Sequence, residues 1–152
     1  MKIRKYNPND CKEIYKLFYD TVHFINAKDY PKEQLDVWAK DNFDIEKWND
    51  SFLKNYTIVA IKNEKIVGFG DIDSTGYLNR LYTHKNYQGI GVATSICNEL
   101  ESVVNTEKII THASITARSF FEKRGYIVIK EQKVKRENHI LINYIMEKQI
   151  RD

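Results

Sequence analysis

This chain of 152 residues predicts an α/β fold in which a mixed, mostly antiparallel sheet of about six to seven strands is flanked by helices. Three observations carry that prediction. The elements run β-α-α-β-β-β-α-β-α-β-β; three consecutive strands are joined by short turns into a meander; and a strand, a glycine loop and a helix follow one another between Tyr77 and Val104.

Residues 3–6 suit a short first strand, and Asn9 or Asp10 can cap a helix whose buried face carries Ile14, Leu17, Phe18 and Thr21. A second helical region begins at Pro31 and holds Leu35 and Trp38, with Trp48 and Phe52 following a polar break. Residues 56–62 and 65–73 form a hairpin about Asn63-Glu64. The aromatic and β-branched run 77–83, preceded by the turn Ser74-Thr75-Gly76, continues the meander. The next helix is set by Ala93, Ile96, Cys97, Leu100, Val103 and Val104, spaced so that one stripe is buried. Residues 108–111 then form a strand, Thr116 caps a helix that Gly125 ends, and strands 127–135 and 140–147 close the chain. No repeat or linker interrupts this order, so one domain over residues 1–152 is expected.

Composition narrows the function classes. Basic side chains number 24 against 21 acidic ones, a balance of +3 that does not demand nucleic acid as a partner. The basic run from Lys130 to Arg136 is broken by Glu131 and Val134 and reads as a solvated strand face. No apolar run approaches the roughly 18 residues of a membrane span, and Met1-Lys2-Ile3-Arg4-Lys5-Tyr6 lacks the apolar core of a secretory signal, so a cytoplasmic protein with no membrane partner is expected. Cys11 and Cys97 are the only cysteines, and they imply neither a disulfide framework nor a metal cluster.

The chemistry concentrates in Tyr87-Gln88-Gly89-Ile90-Gly91-Val92-Ala93. Two glycines one residue apart let the backbone turn tightly and approach a ligand, while the first turn of the following helix aims unpaired N–H groups at the same point. Such a cradle suits a phosphate-bearing ligand. A dinucleotide fold is disfavoured: Thr94 stands where a third small residue belongs, and His112 stands near the place of the ribose-binding acid. Three strands also precede the loop, and only about 60 residues follow it.

Gln88-Gly89-Ile90-Gly91-Val92-Ala93 instead resembles the pyrophosphate loop of the GCN5-related N-acetyltransferase (GNAT) family, whose pattern is Gln or Arg, any two residues, Gly, any residue, then Gly or Ala. Leu81-Tyr82-Thr83-His84 resembles the family's cradle strand, and the stretch from Ser114 to Tyr126 resembles its second signature helix through Ala117, Phe121 and Gly125-Tyr126. The order of elements is similar along nearly the whole chain, the N-terminal third agreeing in layout more than in residues.

The resemblance implies an acyl-CoA N-acyltransferase fold, acetyl-CoA as co-substrate, and direct attack of a small-molecule primary amine on the thioester within a ternary complex. Backbone N–H groups around Leu81, Tyr82 and Thr83 would stabilise the oxyanion from a bulged strand. Gln88, Gly89, Ile90, Gly91, Val92, Ala93 and Thr94 would hold the pyrophosphate. Ser114 stands where the family often has a cofactor-side Asn, and Phe121 lies beside the cofactor.

Two departures bear on catalysis. Phe121 replaces a tyrosine that in many members protonates the leaving thiolate, and Tyr77 and Asn79 occupy the strand positions where an acidic base is commonest. Asp71 and Asp73 are the nearest carboxylates, with His23 and His84 as competitors; each has an ordinary alternative as a turn cap or structural hydrogen-bonding group. Tyr82 is a further candidate for proton transfer.

Acceptor binding is expected from His23, Tyr30, Trp38 and Asp71. Aromatic faces with Asp29, Asp36, Asp41 and Asp44 nearby would favour a cationic amine, although Trp38 equally suits a core anchor. A non-catalytic acyl-CoA-binding module and a protein-interaction domain remain the alternatives. Either a monomer or a homodimer is compatible with the sequence.

Overall fold

Asn63 and Glu64 both adopt positive φ, 53° and 62°, the backbone of the tight turn whose twist matches that of the strands it joins. They close a hairpin of β2 (Tyr56–Lys62) and β3 (Lys65–Ile72), to which β1 (Lys2–Lys5) adds on one side and β4 (Tyr77–Thr83) on the other. The computed structural model describes residues 1–151. β5 (Lys108–Ser114), β6 (Ile127–Arg136) and β7 (His139–Gln149) complete a seven-stranded sheet in the order β1-β2-β3-β4-β5-β7-β6. Among the described residues, only β4 and β5 run parallel, and every other neighbouring pair is antiparallel.

Helices cover both faces. α1 (Cys11–Phe24), α2 (Lys32–Trp38) and α3 (Ile45–Lys54) lie on one face, where Ile14, Phe18, Leu35 and Phe52 pack on Val59 and Phe69. α4 (Val92–Val103) and α5 (Arg118–Lys123) lie on the other, where Ile96, Leu100 and Phe121 pack on Ile58, Leu78 and Met146. Burying each such side chain contributes about 1.5–3 kcal/mol. α4 sits close because Gly68 faces it: a Cβ there would lie 2.5 Å from Val92 Cγ1.

The expected second helical region divides into α2 and α3, since Ala39 leaves helical geometry and Asp44 starts a new helix by accepting from Lys47 N. In α4 the buried stripe includes Val92, while Val103 is exposed and Ala93 is half-buried. The cap expected from Thr116 is not made: α5 starts from Ala117 with no side-chain cap, Ser114 Oγ accepts from Ala117 N at 3.0 Å in the turn before it, and the Thr116 hydroxyl donates to Asp29.

One irregularity shapes the site. β4 pairs with β5 only through Tyr77 with Ile110 and Leu78 with Thr111. Immediately after, the β3–β4 register shifts, because Asp71 opposes Arg80 while Ile72 opposes Leu78, leaving Asn79 as an extra residue. Such a bulge bends the strand. β4 and β5 part from there on, and the sheet opens.

Candidate active site

The opening connects two cavities. One, of about 390 Å³, runs from Leu81, Tyr82 and Thr83 to the glycine loop and the start of α4, with Phe120 and the end of α1 as its walls. The other, of about 420 Å³, lies under Phe18, Tyr30, Trp38 and Trp48 and reaches down to β6 and β7. Leu81, Tyr82, Ser114 and Ala117 line both, so the two meet where the strands part.

In the first cavity, Gly89 and Gly91 take φ of 74° and 91°, left-handed values that cost a side chain strain, and open space lies where a Cβ of either would sit. Gly91 is the N-cap of α4 and offers no side-chain cap. The first intrahelical bond is Ser95 N to Gly91 O, so the N–H groups of Val92, Ala93 and Thr94 have no acceptor within the helix. No acidic residue occupies that turn. The Gln88 amide donates to Thr83 O at 2.8 Å and braces the loop against β4. Ile90 does not line the cavity, and its side chain is 52% exposed.

The β4 backbone presents donors by alternation. His84 N bonds to Val67 O at 2.8 Å across the β3 edge, which turns Tyr82 toward β3 as well and leaves Leu81 and Thr83 directed into the opening. Thr83 O is already taken by Thr21 Oγ1 and Gln88. Of the three backbone donors expected, Leu81 and Thr83 therefore face the opening and that of Tyr82 does not. Its side chain does line both cavities, with the ring packed on Phe69 and edge-on to Phe18. Burial pushes its phenol up to about 12, so the hydroxyl keeps its proton.

Several expected side chains are committed elsewhere. Asp71 is 0% exposed, held by Arg80 Nη2 at 2.6 Å and Asn55 Nδ2 at 2.9 Å, and lines neither cavity, so its carboxylate is engaged in holding β3 to β4. Asp73 closes the β3–β4 turn by accepting from Thr75 and from Tyr77 N. Burial would raise its pKa, but these hydrogen bonds outweigh it and hold the carboxyl below its ordinary value. His23 ties α1 to α2 through Ala39 O at 2.7 Å, and the Nδ1 of His84 accepts from Asn86 N within its own turn; neither lines a cavity.

Tyr30 and Trp38 do line the second cavity, edge to face at 5.2 Å. The Tyr30 hydroxyl is spent: it donates to Ile142 O and accepts from Ile115 N, pinning the connection after α1 to β7 and β5. Phe121 lies in the core and lines this cavity rather than the cofactor-side one, which Phe120 lines instead. No carboxylate lines the second cavity among the described residues. Asp29 bonds Thr116, Asp36 pairs with Lys32, Asp41 accepts from Tyr19 and Asp44 caps α3, so the acids expected around a cationic amine are occupied.

Sequence reasoning missed His112, Arg136 and Asn143, which share one sheet face of this cavity. His112 stands at the mouth against Tyr77 and Gln132, and partial desolvation lowers its pKa, so the imidazole is neutral at pH 7. Only the sheet order β5-β7-β6 brings the three together; no local pattern marks them.

A parted sheet, a glycine loop at a helix start and a second cavity across the gap have a counterpart among known families. The family model described as an acetyltransferase (GNAT) domain matches residues 26–148. The chain belongs to the GNAT acetyltransferase family. It is 30% identical over 148 residues to YafP, an uncharacterized N-acetyltransferase of Escherichia coli K12, covering 96% of this chain and 94% of that one. The crystal structure of a GCN5-related N-acetyltransferase from Rhodopseudomonas palustris superposes with a TM-score of 0.94 at 28% identity, covering 98% and 95% of the two chains. PaiA N-acetyltransferase of Thermoplasma acidophilum, solved in complex with coenzyme A, gives 0.79 at 18% identity, covering 98% of each chain. GNAT acetyltransferases take acetyl-CoA as co-substrate, and this chain is one of them. Among the described residues, no helix is long and apolar enough to cross a membrane.

Proposed function

We propose that this GNAT protein is a single-domain cytoplasmic enzyme that moves the acetyl group of acetyl-CoA to the primary amine of a small molecule by direct attack in a ternary complex. The observation that carries the reading is the meeting of two cavities at Leu81, Tyr82, Ser114 and Ala117. One is built for an anion and the other for an acceptor body. The second cavity's 420 Å³ falls in the range of small-molecule sites, about 300–1,000 Å³.

The diphosphate would rest on the N–H groups of Gly89 and Gly91 through Thr94, aided by the positive end of α4. The amine lone pair attacks the thioester carbon as the carbonyl oxygen takes up negative charge, and Leu81 N–H is the donor placed to receive it. Collapse breaks the C–S bond. The thiolate, whose conjugate acid has a pKa of about 8.5, leaves readily and takes a proton from the Tyr82 hydroxyl or from water. His112, neutral at pH 7, accepts the proton lost by the nitrogen, through water at the cavity mouth. Ser114 Oγ accepts from Ala117 N, which leaves its own hydrogen free for the acyl-CoA arm.

A second reading, an acyl-CoA-binding module without turnover, draws on Phe121 and on the lack of a lining carboxylate. A panel of amines, including polyamines, amino acids, aminoglycosides and peptides, incubated with acetyl-CoA while thiol release and product mass are followed, separates the two. Stoichiometric acetylated product with at least one amine is expected. Thermal stabilisation by CoA without thiol release from any amine would establish the binding module instead. CoA at 100 times its dissociation constant adds about 2.7 kcal/mol, so failure to stabilise would remove both readings.

A further inference from the structure

Resting on the acetyltransferase reading, we infer that the acceptor is an amine joined through an apolar or aromatic body to an anionic group, carboxylate or phosphate, which seats against Arg136 while the amine nitrogen bonds Asn143 Oδ1. The charge lining the second cavity argues for it. Arg80 and Arg136 line that space with no aspartate or glutamate among the described lining residues. Arg80 is neutralised by Asp71 at 2.6 Å and lies over the Phe52 ring at 4.1 Å. Arg136 has no carboxylate partner among the described residues, and neighbouring Glu137 is engaged by Lys40 at 3.4 Å. A guanidinium fork unpaired at the rim of a cavity matches a carboxylate or phosphate.

Asn143 supplies the other end. Its Oδ1 is buried and has no hydrogen-bond partner, and leaving a buried acceptor unpaired costs about 1–3 kcal/mol. Asn143 stands opposite Ser114 in the β5–β7 register, and Ser114 lines both cavities. The orphan oxygen is thus placed beside the junction where the acyl group would arrive, and an amine N–H satisfies it.

Spacing narrows the class. Asn143 opposes Gln132, and Arg136 lies four residues further along the same strand, about 13 Å at the strand rise. An arginine arm spans part of that distance. The anion and amine therefore stand several ångströms apart, further than in one α-amino acid, with Trp38, Phe18 and Leu141 beside the stretch between.

Matched acceptors test this: 4-(aminomethyl)benzoate, its amide and benzylamine, with glycine and spermidine as controls and 3-aminopropyl phosphate against 3-aminopropanol as the phosphate arm. The acid or the phosphate is expected to exceed its uncharged counterpart by about ten-fold in kcat/KM, equivalent to about 1.4 kcal/mol, and whichever leads identifies the anion. Arg136→Gln should erase that preference by raising the acceptor KM with the acetyl-CoA KM unchanged, and Arg136→Lys should keep part of it. An equal or better rate with the amide, or a clear preference for spermidine, overturns the inference while leaving the acetyltransferase reading intact. Calorimetric binding of 4-(acetamidomethyl)benzoate against its amide, with CoA present, gives a readout independent of turnover. Carboxylate-dependent binding lost in Arg136→Gln would sustain the anion site even if no amine were acetylated, and carboxylate-blind binding would sink it.

Discussion

Asp71 and Arg80 face each other across β3 and β4 at 2.6 Å, the Asp71 side chain wholly buried and the Arg80 side chain 14% exposed. The bulge at Asn79 places Arg80 opposite Asp71, and the pair fastens the two strands where β4 begins to leave β5. Removing one partner of a buried pair leaves the other uncompensated. Asp71→Asn should therefore destabilise the fold by about 3 kcal/mol in urea titration, with kcat of the surviving folded enzyme changed less than about ten-fold. A kcat falling by two orders of magnitude at unchanged stability would instead make Asp71 a catalytic base.

Local patterns carried much of this molecule. The Asn63-Glu64 turn, the β4 run and the glycine loop each express their conformation within a few residues, and the structure holds all three where the sequence placed them. The engagement of Asp71 by Arg80 is not legible in the sequence, because strand alternation does not reveal a bulge, and the bulge supplies the partner. Arg136 and Asn143 carry no local signal at all. Their place in the second cavity depends on β7 inserting between β5 and β6, a pairing between segments remote from the loop.

Gly91 holds φ of 91° at the start of α4 with open space where a Cβ would go, so an added methyl group meets backbone strain and no steric neighbour. Strain of about 1–2 kcal/mol should be relieved by rotating the loop N–H groups off the anion. Gly91→Ala should weaken CoA binding by at least about ten-fold in calorimetry while moving Tm only a few degrees. Unchanged CoA affinity would mean that this cradle does not hold the diphosphate.

Tyr82 keeps its proton because burial pushes its phenol to about 12, and its side chain lines both cavities. Tyr82→Phe keeps the packing on Phe69 and Phe18 and removes only the donor. Turnover should fall by about 10- to 100-fold with the acetyl-CoA KM within two-fold, as for loss of one positioned acid. Phe121 lines the acceptor-side cavity, so adding Phe121→Tyr to that variant should restore part of the rate. Equal turnover in Tyr82→Phe and the native protein would leave water as the proton source.

His112 and His84 both have pKa values below the ordinary 6.5, chiefly through desolvation. In the unfolded chain each binds a proton more readily than in the fold, so stability is fully present above about pH 6.5 and declines as pH falls from there toward the folded values. Urea midpoints should drop between pH 7.5 and pH 5.5, and His112→Gln should flatten that drop. The same depressed value sets the acid limb of catalysis if His112 receives the amine proton. A weakly basic acceptor such as a hydrazide, neutral across this range, isolates the enzyme's own ionisation from that of the substrate. With it, kcat/KM should rise to a plateau with a midpoint below 6.5 in the native protein and lose that limb in His112→Gln. A limb that persists unchanged in the variant assigns the titration to another group.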